Sequence, residues 1–146
     1  MLTGSDCYDA EPTGNSAVVY VGNDYRVMTD VEVDKVNDSI MSLKAARRIA
    51  DTDEQLSLRI RSNIEQHLPF SPFTDTVIWC EYTFALGGQK SVFGTLKGER
   101  HFSVESEKRH FNGRQYLHVR FGGIIVRLDQ PTDSLVLHDC YFDVHL

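Results

Sequence analysis

Cysteine is scarce in this chain, with Cys7, Cys80 and Cys140 the whole complement among 146 residues. An odd number cannot close entirely into intrachain pairs, so a disulfide framework is excluded as the main source of stability. The start has no charged stretch followed by an apolar one, and a reducing, cytoplasmic setting is the expectation. Long apolar runs are also missing; none approaches the roughly 18 residues of a membrane-spanning helix. Nucleotide-binding glycine motifs, a Gly-x-Ser-x-Gly elbow and the Cys-x-x-Cys or His-x-x-x-His steps of zinc sites are absent too. These absences lead to the expectation of a non-catalytic protein with no cofactor and no metal.

Length suits one domain, since a chain of about 150 residues buries roughly 68–70% of its unfolded surface without a staple. Hydrophobic residues at 41% and charged residues at 25% are ordinary for a folded protein. The net charge of −6 is unevenly placed: residues 1–75 hold 13 acids and 7 bases, residues 76–146 hold 8 of each. An acidic N-terminal half is a poor match for a phosphate backbone, so nucleic acid is not the expected partner. It suits a basic protein partner, with Asp30, Glu32, Asp34 and Asp38 as the candidate contact residues.

The strongest local signal is Asn112-Gly113. Both residues tolerate the positive φ of a type I′ turn, so the flanking segments form a hairpin in which Phe111 faces Arg114. Counting outward pairs Arg109 with Tyr116, Glu107 with His118, Glu105 with Arg120 and Val104 with Phe121. One face then carries Phe102, Val104, Leu117, Val119 and Phe121; the other carries opposite charges. A slip of one residue would put Leu117 and Val119 among those charges, so turn chemistry and burial select the same register.

Upstream, residues 1–16 are polar and broken by Pro12 and glycines, and are expected to form a flexible tail before a single domain over 17–146. Ala17–Val21 and Tyr25–Met28 form an N-terminal β-hairpin. Thr29 with Glu32, and Thr52 with Gln55, have the spacing of capping boxes. Behind them Val33, Val36, Ile40 and Leu43, then Leu56, Ile60, Ile64 and Leu68, recur at helical spacing. Two helices are therefore expected, although Leu56, Leu58 and Ile60 also alternate as a strand would. Pro69 and Pro72 make a stiff linker, and the chain from Thr76 onward alternates with a period of two. The expected fold is α+β: the N-terminal hairpin, a two-helix segment, and about six antiparallel strands in a strongly bent sheet or partial barrel.

Chemistry is thin. His101-Phe102-Ser103 and His118-Val119-Arg120 are similar to the paired His-x-Ser/Thr elements of two-histidine phosphoesterases, but Arg120 stands where the second hydroxyl is needed. His138 and Cys140 supply two potential metal ligands, not a set. The expected function is a binding, adaptor or inhibitor-type protein working through protein-protein surfaces and self-associating through its helices. The alternative is a small-molecule or phosphate pocket, with hydrolase chemistry, between bent sheet and helices. His101, Glu107, Tyr116, His118 and Arg120 would line it.

Overall fold

The computed structural model describes residues 15–37, 39–62, 73–95 and 102–145, and every regular element among them is a β-strand. There are ten: β1 Ser16–Val21, β2 Asp24–Met28, β3 Asp30–Lys35, β4 Ile40–Ile49, β5 Thr52–Arg61, β6 Phe73–Leu86, β7 Gln89–Gly94, β8 Phe102–Phe111, β9 Arg114–Arg127 and β10 Gln130–His145. All pairings are antiparallel, and β10 returns to pair with β1. β2 and β3 follow one line bent at Thr29, with β2 on β1 and β3 on β4. β7 and β8 both lie between β6 and β9. The result is a closed up-and-down barrel of eight staves, two of them built from two strands.

This corrects the expected two-helix segment. Residues 30–49 form the β3–β4 hairpin, and β4 pairs in turn with β5 over Ile40–Ile49 and Thr52–Arg61. The period that governs is two: Met41, Leu43 and Ala45, then Leu56, Leu58 and Ile60, point into the core. Their neighbours Lys44, Arg48, Arg59 and Arg61 stay exposed. Val36, which the helical spacing places on a buried face, is 48% exposed beside the β3–β4 turn. There Asn37 Oδ1 accepts from the amides of Ser39 and Ile40, at 2.9 Å each. Thr29 does not cap a helix; its amide and hydroxyl donate to the Ala46 carbonyl, holding the bend. The helical positions expected over 63–68 and most of the N-terminal tail lie outside the described residues.

The Asn112-Gly113 hairpin has the register its turn dictates, from Phe111 opposite Arg114 to Val104 opposite Phe121, and both turn residues have positive φ. Elsewhere bulges switch which side chains face inward. In β10 the register shifts between Leu137 and Cys140, with Asp139 at a φ of 51°. Leu135 and Leu137 therefore face the core before the bulge, and Cys140, Phe142 and Val144 after it. A shift opposite Arg59 and Ile60 likewise turns Val77 inward and leaves Ile78 40% exposed. Gly94 is small for a different reason: a Cβ there would meet Trp79 at 2.7 Å.

The lumen is filled. Leu43, Leu56, Leu58, Ile60, Leu117, Ile125 and Phe142 have no exposed surface, and they interdigitate as a core. Apolar residues inside and charges outside reverse the pattern of a lipid-embedded barrel. Among the described residues no helix is long and apolar enough to cross a membrane.

A charged cluster is built into this core around Glu54, the least exposed of the buried carboxylates. Glu54 of β5 is buried, with Arg26 Nε of β2 at 2.6 Å from Oε1 and Arg47 Nε of β4 at 3.2 Å from Oε2. The three span the seam where β2 has left the ladder of β4. Tyr82 bonds the same carboxylate; burial first, then that negative charge, hold its phenol well above the ordinary range. Removing one member of a buried ion cluster strands the others without compensation, at a cost of about 3–5 kcal/mol. Glu54→Ala is expected to lower unfolding free energy by about 3 kcal/mol or more in urea titration. A loss below about 0.5 kcal/mol, the size typical of a surface substitution, would show that the seam is held by something else.

Candidate functional site

The residues suggested as a pocket do not converge on one. Glu107, Tyr116, His118 and Arg120 all lie on the outer face of β8 and β9, side by side in the ladder. Each has a local partner. Arg109 Nε reaches Glu107 at 2.6 Å, and Arg120 reaches Glu105 at 3.4 Å. His118 turns away from Glu107, its cross-strand neighbour, and donates from Nδ1 to Asp143 Oδ1 of β10 at 2.6 Å. The ring of Tyr141 lies 5.1 Å from the imidazole. Arg120 lines a shallow depression of about 340 Å³ with Ser103, Glu105, His138 and Asp139. His101 is outside the described residues.

The two thiols among the described residues are shut away from solvent. Cys80 and Cys140 are buried and free. Burial, chiefly, raises the Cys140 thiol to about 11 and pushes Cys80 higher still. A thiol that stays protonated is a poor nucleophile and a poor metal ligand. Among the described residues no three of His, Cys, Asp and Glu gather to hold a metal ion. His138 lies outward beside the β10 bulge, stacked on Tyr20 at 5.1 Å. Its Nδ1 faces Asp139 Oδ2 at 3.0 Å and its Nε2 faces the Gly22 carbonyl at 2.5 Å. Both neighbours only accept, so the ring is best satisfied with a proton on each nitrogen. Asp139 first, then Gly22, accordingly raise its pKa above the usual histidine value.

The acidic residues fare differently. Asp30, Glu32 and Asp34 do share a face, but on strand β3, where alternation sends all three outward and turns Val31 and Val33 toward the core. Asp38, in the turn that follows, is outside the described residues. The three acids have no ion pair among the described residues. Lys44 stands opposite Glu32, but Ala46 and Ser42 stand opposite Asp30 and Asp34. Asp30 and Glu32 also line a depression of about 570 Å³ on the outer face, with Lys44, Gln55 and Ser57.

Sequence reasoning missed that β3 is an edge. Val36 donates to the carbonyl of Ile40, which fixes the hydrogen-bonded pairs of the β3–β4 ladder. In that phase Asp30, Glu32 and Asp34 direct their peptide groups to β4. Val31, Val33 and Lys35 direct theirs to the opposite side, where β1 pairs only with β2 and ends its match at Met28. No described strand is paired there. The strict alternation of acids and valines over 30–34 was the available signal.

Fold and site together define a class, a filled up-and-down barrel with one acidic edge strand. No protein-family model, curated protein or solved structure matches the chain.

Two measurements check this geometry. In a Cys7→Ser chain, a thiol reagent at pH 8 should label neither remaining cysteine until denaturant is added; prompt labelling of the native protein would contradict the burial of both. A raised histidine pKa contributes stability that is complete below the unfolded value near 6.5 and fades as pH climbs through the folded one. Wild type should therefore lose its Tm advantage over His138→Gln between pH 6 and 8, and a pH-independent difference would mean that His138 is not charged in the fold.

Proposed function

We propose that this chain is a non-catalytic binding protein that meets a basic protein partner through the acidic outer row of β3. The observation that carries this is the row of Asp30, Glu32 and Asp34 along one outer strand face, with no ion pair among the described residues. Several acids elsewhere are paired with arginine: Glu105 with Arg120, Glu107 with Arg109, Asp129 and Asp133 with Arg127. Acids two apart on a strand are about 7 Å from each other, so β3 presents one concentrated negative field. Such a field speeds encounter with a cationic surface and repels anionic ones.

Two further features support a binding role over catalysis. The buried thiols are held protonated, and on the β8–β9 face His118 bonds Asp143 of β10 while Glu105 and Glu107 pair with Arg120 and Arg109. The expected self-association rested on amphipathic helices, and those segments are barrel strands whose apolar face is already inside. The alternative of a phosphate or small-molecule pocket at Glu107, Tyr116, His118 and Arg120 is not carried forward, because these side chains stand in a row on an outer surface.

Fluorescently labelled oligolysine is the probe that tests the site. Replacing Asp30, Glu32 and Asp34 together by lysine should weaken its binding at least about tenfold, or 1.4 kcal/mol. The same replacement at Asp51, Asp53 and Asp129 changes net charge equally and should cost much less. Equal losses in both variants would reduce the effect to overall charge and overturn the assignment to β3.

A further inference from the structure

We propose that β3 receives its partner as an added strand, an extended segment of the pattern basic, apolar, any, apolar, basic. This rests on the binding role just proposed and specifies its mode. The main-chain groups of Val31, Val33 and Lys35 face away from β4 and have no ladder partner among the described residues. An edge of this kind is a template for another chain. A strand laid against it places every second side chain outward, beside Asp30, Glu32 and Asp34, and the alternate ones inward beside the half-buried Val31 and Val33. Lys44 already faces Glu32, whereas Ala46 and Ser42 leave Asp30 and Asp34 uncompensated. The partner's bases therefore belong four residues apart, opposite those two aspartates, with a tolerant position between them.

Two other occupants are disfavoured by charge. If two copies paired antiparallel through β3 with outward faces aligned, Glu32 would face Glu32 and Asp30 would face Asp34, and directly opposed like charges are destabilising. Extending the β1–β2 register upstream of Ser16 would set Glu11 opposite Asp34 and Pro12 opposite Val33. Proline has no N–H to give where that pair requires one. Residues 1–14 contain three acids and no lysine or arginine. A basic segment of another protein is the occupant that the edge selects.

The probes are two labelled nonapeptides, one repeating Lys-Val-Thr-Val with a final lysine, the other a scramble of equal composition. The patterned peptide should bind at least about tenfold more tightly than the scramble. On binding it should slow amide exchange at Val31, Val33 and Lys35, whereas Glu32 and Asp34 are already protected by β4. Lys35→Pro, which removes a donor facing the partner and spares the β3–β4 bonds, should weaken the patterned peptide and leave oligolysine binding intact. Equal affinity for both peptides, or unchanged exchange at the three amides, would overturn strand addition while the acidic-surface reading stands. Loss of oligolysine selectivity between the two triple-lysine variants would remove that reading itself.

Discussion

The barrel is closed by a bend. At Thr29 a single strand line changes partners, from β1 before it to β4 after it, and the Thr29 amide donates to the Ala46 carbonyl at the change. Below the bend β2 has no ladder to β4, and Glu54 with its two guanidinium partners occupies the space between them. A buried carboxylate is costly unless paired, and two arginines from opposite banks of the seam supply the pairing. Their geometry ties the first hairpin to the middle of the chain more specifically than apolar contact does. Tyr82 adds a neutral donor to the same carboxylate, so the cluster is anchored on β2, β4, β5 and β6.

The bend also marks where the exposed edge begins. β1 starts at Ser16 and is matched to β2 as far as Met28, so beyond Thr29 no described strand is paired on that side of β3, and β4 is its one partner among the described strands. The passage to β4 and the edge facing away from β4 start at the same residue. The lumen is filled as well: side chains such as Phe142, Leu58 and Ile125 occupy the interior.

How much of this was legible follows from the physics of each signal. Asn112-Gly113 fixes two residues in a conformation few others accept, so it dictated a register that the burial of Val104 and Phe121 independently required. The helices failed because Val33, Ile40 and Leu43, or Leu56 and Ile60, satisfy a period near 3.6 and a period of two equally well. Thr29 and Glu32 have capping spacing, yet the decision lies in long-range pairing of β4 with β5 and of β5 with β6, which local sequence does not display. Asp-Val-Glu-Val-Asp did alternate, and taken as a strand it would have placed these acids together on one outer face. Bulges at Asp139 and opposite Ile60 change facing by one residue, and an alternation rule has no means to see them. The acids could be singled out because charge imbalance needs no secondary structure to be noticed.

Leaving a strand edge open is ordinarily a hazard, because unpaired peptide groups accept any extended chain. Charge converts that promiscuity into selection. At physiological ionic strength screening acts over about 8 Å, slightly more than the spacing of successive acids on β3, so neighbouring carboxylates act jointly on anything that approaches. An incoming strand bearing acids, including another copy of this one, meets repulsion before its hydrogen bonds can form. One bearing lysine or arginine gains attraction at long range and hydrogen bonds at contact. The two contributions differ in kind: main-chain pairing is indifferent to sequence, and the carboxylates discriminate. Specificity is a difference between affinities, so repelling the wrong partners is as much a part of recognition as holding the right one. In the proposed mode both effects would come from the same three side chains of β3, and the peptide groups they flank would supply the adhesion that charge alone lacks.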